Sequence, residues 1–156
     1  MNAHSNSFAD RRTFLKMTGA VTGTITLIPF TANATPQSVQ DEINAIIQGK
    51  TMVEDGRVIL TLPEIAENGG TVPLTIHINT PMSAESHVKV LHIFADGNPQ
   101  PDVASYFLGP ANGKAEISFR LRLSKTQKVV AVAELNTGEI LVGRQQVKVT
   151  LGGCGG

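Results

Sequence analysis

The chain has a single cysteine, no tryptophan, one tyrosine and six phenylalanines among 156 residues. One thiol excludes an internal disulfide framework and a thiolate-rich zinc site. So few aromatics leave no platform on which the bases of a single strand could stack. Positive charge is no more plentiful, with thirteen lysines and arginines against thirteen aspartates and glutamates. Beyond residue 34 the balance is ten basic to twelve acidic, because Arg11, Arg12 and Lys16 face only Asp10 before it. No basic stripe remains to neutralise phosphates, which excludes nucleic acid and the anionic membrane surface as partners. An uninterrupted apolar run of about 20 residues, which a membrane-spanning helix needs, is also missing.

What is present is Val, Ile and Leu in a chain that is 41% hydrophobic and 17% charged. These β-branched and aliphatic residues suit half-buried pleated surfaces, so a folded, mainly β protein is expected.

The N-terminus reads as an address. Asp10-Arg11-Arg12-Thr13-Phe14-Leu15-Lys16 opens a moderately apolar stretch from Met17 to Phe30, followed by Ala32-Asn33-Ala34, a small-x-small cleavage site. That order is the one used by export signals. Arg11 and Arg12 followed by Phe14, Leu15 and Lys16 resemble the twin-arginine signal, which carries folded proteins. Gly19, Gly23, Pro29 and interspersed threonines make the stretch a poor permanent anchor. The expected organisation is a removed signal over 1–34, one domain over 35–151 and an arm over 152–156, with no membrane insertion after cleavage.

Along the mature chain, Thr35-Pro36 reads as a helix start, and Val39, Ile43, Ile46 and Ile47 fall on one helical face, with Gly49 as the stop. After this helix over about 36–48 the period becomes two. Strands are predicted over 57–62, 74–78, 87–95, 103–108, 115–123, 129–135, 139–143 and 146–150. The loop Asn136-Thr137-Gly138 suits a hairpin. Short strands at close spacing predict an antiparallel sandwich of the immunoglobulin-like type, preceded by the short helix.

Cys154 lies within Gly152-Gly153-Cys154-Gly155-Gly156. Gly152, Gly153, Gly155 and Gly156 impose no side-chain restriction on the backbone, so the segment is expected to behave as a flexible arm. Three extended residues beyond Leu151 carry the thiol at most about 10 Å, far enough to enter a narrow pocket of another protein. Nothing in the sequence activates it. A thiol with the ordinary pKa of about 8.5 is only a few per cent thiolate at neutral pH, and a nearby C-terminal carboxylate favours the neutral form. The arm therefore reads as a handle that carries a group while partners supply the chemistry. The alternatives are a sulfurtransferase with Cys154 as its own nucleophile, or a structural sandwich crosslinked through its tail.

Other candidate chemistry is thin. His77 falls on a polar strand face, and His87 and His92, five apart, point to opposite faces of a regular strand. Asp55, Glu64 and Glu67 form no pair, and no Ser-His-Asp arrangement can be drawn. The expectation is no metal, no cofactor and no catalytic residue.

The terminal Gly-Gly-Cys-Gly-Gly, together with Leu62-Pro63-Glu64-Ile65-Ala66-Glu67-Asn68-Gly69, Val72-Pro73, Asn98-Pro99, Arg120-Leu121-Arg122-Leu123 and Val147-Lys148-Val149-Thr150, resembles the SoxY family of thiosulfate-oxidising systems. The resemblance implies an immunoglobulin-like domain that is a carrier rather than an enzyme. It implies a SoxZ-like subunit as a heterodimer partner, and a periplasmic location. It further implies that Cys154 takes up thiosulfate through a c-type cytochrome partner. A hydrolase and sulfane-oxidising Sox proteins would then visit the arm.

Overall fold

The computed structural model describes residues 36–48, 50, 52–54 and 56–151. They form one helix, α1 (Pro36–Ile47), followed by nine strands. These are β1 (Met52–Glu54), β2 (Val58–Thr61), β3 (Ile65–Asn68), β4 (Val72–Ile78), β5 (Val88–Ala95), β6 (Asp102–Phe107), β7 (Glu116–Leu121), β8 (Gln127–Leu135) and β9 (Ile140–Leu151). A 3-10 turn, Pro110–Asn112, joins β6 to β7. Among the described residues no helix is long and apolar enough to cross a membrane.

Two sheets make the sandwich. The smaller has the order β2-β4-β7, antiparallel throughout. The larger has the order β1-β9-β8-β5-β6, with β3 added on β9. The buried residues explain why some strands alternate and others do not. Leu74, Ile76 and Ile78 of β4 face inward while Pro73, Thr75 and His77 face out, so β4 reads with a period of two. The larger sheet is apolar on both faces. Its inner face presents Leu91, Ile93, Val129, Ala131, Ala133, Leu141 and Val147 to the smaller sheet. Its outer face presents Phe94, Val130, Val132, Ile140 and Val142 to Val39 and Ile43 of α1. Double-sided burial produces the nearly continuous apolar runs of β5 and β8.

The prediction of a β sandwich preceded by a helix holds, with four differences of detail. The runs 139–143 and 146–150 are one strand, β9. Gly143 between them is no turn: a Cβ there would stand 2.7 Å from Leu60 Cδ1 and 2.8 Å from the Val58 carbonyl oxygen, so the missing side chain lets β2 press against β9. Secondly, the sequence periodicity predicts neither β1 nor β3, and both pair with β9 in parallel, so the larger sheet is mixed rather than purely antiparallel. Thirdly, the residue that closes α1 with a left-handed backbone is Gln48, at φ 46°, its N–H donating to the Asn44 carbonyl at 3.1 Å. Gly49, expected in that role, lies outside the described residues. Fourthly, β5 carries a register irregularity between Val88 and Val90, and His87 precedes it, so the opposite-face argument for His87 and His92 does not apply.

The hairpin at Asn136-Thr137-Gly138 is as expected. Gly138 takes φ 89°, and Leu135 N–H donates to the Glu139 carbonyl at 2.9 Å.

Candidate functional site

β9 ends at Leu151, three residues before Cys154, so its last residues are the described part of the chain nearest the thiol in sequence. This end of β9 is held on both sides. On one side β3 runs parallel to it, with Ile65 opposite Lys148, Ala66 opposite Val149 and Asn68 opposite Leu151. Gly69 N–H donates to the Leu151 carbonyl at 2.8 Å, Lys148 N–H to the Glu64 carbonyl at 2.8 Å, and the Thr150 hydroxyl to the Glu67 carbonyl at 3.1 Å. On the other side β8 begins at Gln127, opposite Val147, and Thr126 extends the contact by accepting from Val149 N–H at 3.0 Å. The Leu151 carbonyl is thus the last anchored group before Gly152.

Behind Thr126 lies a polar web that the loops share. The Gln127 side chain is only 5% exposed and all its groups are occupied. Its Oε1 accepts from Gly97 N–H at 2.7 Å, and its Nε2 donates to Asn98 Oδ1 at 2.9 Å and to the Lys125 carbonyl at 3.1 Å. Asn98 in turn accepts from Ser124 N–H at 3.0 Å and donates to the Arg122 carbonyl at 2.8 Å. Ser124 Oγ donates to the Gly97 carbonyl at 2.8 Å, and Leu123 N–H to the Gly69 carbonyl at 2.7 Å. Three loops are therefore tied together: 96–98, 122–126 and 68–70. A buried amide with full partners specifies one arrangement, because any other leaves polar groups dry and unmet.

An open cavity of about 250 Å³ lies at this web, lined by Asp96, Gly97, Lys125, Thr126, Gln127, Lys128 and Gln146. A Cβ on Gly97 would stand 2.9 Å from Lys125 Cε and 2.9 Å from Gln127 Cβ, so the Lys125 stem lies across the bare glycine.

The residues expected to carry function are placed as follows. Cys154 and Gly152, Gly153, Gly155 and Gly156 lie outside the described residues, as do Arg11, Arg12, Phe14, Leu15 and Lys16 of the signal. The histidines do not converge. His77 Nδ1 stands 3.5 Å from a Glu116 carboxylate oxygen, His87 Nδ1 2.9 Å from the Ser83 carbonyl, and His92 Nδ1 2.8 Å from Ser105 Oγ. Burial pushes the pKa of His92 down, against the pull of the Asp102 and Glu134 carboxylates. Among the described residues no group of three or more His, Cys, Asp or Glu is placed to hold a metal ion.

A sequence model of one family, sulfur oxidation protein SoxY, matches residues 43–154, from the middle of α1 through the cysteine itself. The chain belongs to the SoxY family. The solved SoxY sulfur carrier protein of Chlorobium limicola f. thiosulfatophilum is similar to it at 32% identity, with a TM-score of 0.63 over 74% of this chain and 98% of that one. The fold also resembles a superoxide reductase (neelaredoxin) of Ignicoccus hospitalis, at 17% identity and TM-score 0.52, covering 74% of this chain and 94% of that one. A putative superoxide reductase of Thermotoga maritima behaves alike, at 17% identity and TM-score 0.51, covering 67% and 89%. Those two likenesses concern the fold alone. No curated protein sequence matches.

Within this SoxY-family chain, Lys125, Thr126, Gln127 and Lys128 belong to no motif, and Asn98 stands out only through the family resemblance. The sequence carries one faint sign of them, a glutamine opening an apolar run. Of its partners only the Lys125 carbonyl is local; Gly97 and Asn98 are 30 and 29 residues away, at no periodic spacing.

Proposed function

We propose that this chain is a sulfur carrier of a thiosulfate-oxidising system, holding its cargo covalently on Cys154 while partner proteins perform the chemistry. The observation that carries this reading is the family match extending through Cys154, joined to a domain that fixes the chain as far as Leu151. The anchoring of β9 supports a division of labour, with a rigid body up to Leu151 and a glycine-flanked thiol after it.

Loading joins the thiol to the sulfane sulfur of thiosulfate. An S–S bond forms, giving Cys–S–S–SO₃⁻, while one proton and two electrons leave, the electrons to a c-type cytochrome. A hydrolase then adds water at the sulfonate sulfur, releasing sulfate and a proton and leaving the persulfide Cys–S–SH. Sulfane-oxidising partners act on what remains. The carrier contributes no acid, base or metal, in keeping with a thiol that has no activating neighbour in sequence. A SoxZ-like subunit as partner, and twin-arginine export to the periplasm before loading, complete the proposal.

The test is reconstitution with the oxidising cytochrome and thiosulfate, followed by intact-mass analysis. An adduct confined to Cys154 is expected. A Cys154→Ser protein that still supports thiosulfate oxidation overturns the reading, as does turnover by the isolated chain without partners.

A further inference from the structure

We propose that β6, the free edge of the larger sheet, docks a second copy of this chain: two β6 strands pair antiparallel about a two-fold axis at Ser105 and join the two larger sheets into one. The inference is independent of the carrier reading. β8 and β5 separate this edge from β9, so it concerns a side of the sandwich that the carrier reading does not use.

The edge is open and lightly guarded. β6 closes the strand order, so among the described residues its far side has no neighbouring strand. Exposed edges are ordinarily protected by charge, proline or a bulge. From Val103 to Leu108 there is no charged residue and no proline. The register irregularity between Ile93 and Phe94 falls at the Asp102 end, and pairing is regular from Ala104 opposite Ile93 to Phe107 opposite Val90. Leu108 N–H donates inward to the Lys89 carbonyl at 3.0 Å, so alternation turns the N–H groups of Phe107 and Ser105 to the free side. Phe107 is 80% exposed, more than any other large hydrophobic side chain among the described residues. A bare aromatic ring on an unpaired edge is the anchor of a contact surface.

Charge selects the occupant. Asp102 is the one charged residue of β6 and stands at its start. Lys89 lies beside the other end, through the bond to Leu108, and makes no salt bridge among the described residues. Asp102, Ser105 and Phe107 share the outer face with His92 and Phe94. The edge is thus acidic at one end and basic at the other. A strand of one charge sign would satisfy one end and oppose the other, whereas a reversed copy satisfies both. With Ser105 on the axis, Asp102 of each copy comes beside Leu108 and Lys89 of the other, and Phe107 is covered by the Asp102–Val103 end.

The domain leaves room for this neighbour. α1 packs on Phe94, Val130, Val132, Ile140 and Val142, with no residue of β6 among them, so the outer face of β6 stays open. The smaller sheet reaches from β9, where Gly143 admits β2, to β6, where Phe119 meets Tyr106 with ring centroids 5.8 Å apart. It lies behind the larger sheet as far as its edge. A six-residue strand with one aromatic per copy is a small interface, so the association is concentration-dependent.

The experiment uses the mature chain with Cys154→Ser, which removes dimers linked through that thiol, in sedimentation velocity over a concentration series. A reversible dimer is expected. Phe107→Lys is expected to weaken it roughly tenfold or more, with the urea midpoint unchanged because the side chain is exposed. Lys89→Asp and Asp102→Lys should each weaken it, and the two together should restore it, a rescue that only a reversed copy gives. Ser105→Cys should crosslink across the axis with oxidised glutathione, since directly opposed residues stand within disulfide range, while Ser118→Cys on the outer face of the smaller sheet should not. A chain that stays monomeric throughout the series overturns the proposal, even if Phe107 then binds a foreign subunit. So do a dimer indifferent to Phe107→Lys and a double charge reversal no better than either single one. None of these results touches the carrier reading, which stands or falls on Cys154→Ser in the reconstituted assay.

Discussion

Two residues carry more structural consequence than their size suggests. At Gly143 the nearest neighbours of an added methyl include the Val58 carbonyl oxygen, which belongs to the backbone and cannot swing aside. Gly143→Ala is expected to cost about 1–3 kcal/mol through overpacking, measurable as a lower urea midpoint at unchanged slope. Gln127→Ala strands the Gly97 N–H and two acceptor groups in the web. A loss of about 1–3 kcal/mol is expected, with faster hydrogen exchange at Gly97 as its local signature. Neither role was legible beforehand. A glycine followed by Arg144 and Gln145 reads as a break in a strand, and only the approach of β2 turns it into a contact. The role proposed for Cys154 has the opposite basis: it rests on composition and immediate neighbours, which a sequence displays in full.

Among the elements, those whose burial repeats every two or four residues declared themselves. β4 and β7 alternate because each has one wet face, and α1 shows its apolar stripe because Val39 and Ile43 lie against the sheet. β1 and β3, with three and four residues, are too short for a period, and their pairing with β9 is set by the rest of the fold. Ile43 is 1% exposed beneath α1, and Ile43→Ala is expected to cost about 2–5 kcal/mol in chemical denaturation. The β5–β6 pair carries a pH dependence. Burial lowers the pKa of His92, so its neutral form favours the folded state. That contribution is complete above the unfolded value near 6.5 and is lost as pH falls through the lower folded value. The hydrogen bond from Lys50 lowers the pKa of Glu134, giving a second contribution of the same sign at more acidic pH, present above the unfolded value and lost below it. Thermal midpoints should therefore fall on acidification below about pH 6.5. His92→Gln, which can keep a bond to Ser105, should flatten the first part of that fall.

At the scale of the whole molecule, the core ends before β9 does. Val147 is the last fully buried residue of β9, and Leu151 is 70% exposed. Deleting residues 152–156 should leave the unfolding midpoint within about 0.5 kcal/mol of the intact chain while abolishing sulfur carriage, as judged by denaturation and the reconstituted assay side by side. The proposed carrier function and the stability of the domain thus belong to different stretches of chain, and the alternation of hydrophobic residues that foretold the sandwich said nothing of the web around Gln127.

The flanking of β9 by β3 and β8 has a mechanical consequence. On the proposed carrier reading, a partner that holds the thiol loads β9 through Leu151, and a pull along the strand axis is the case its flanks resist best. Such a load falls in shear on the bonds at Gly69, Lys148 and Thr126 together rather than peeling them one after another. A domain anchored in this way bears tension at its C-terminal strand without unravelling from that end.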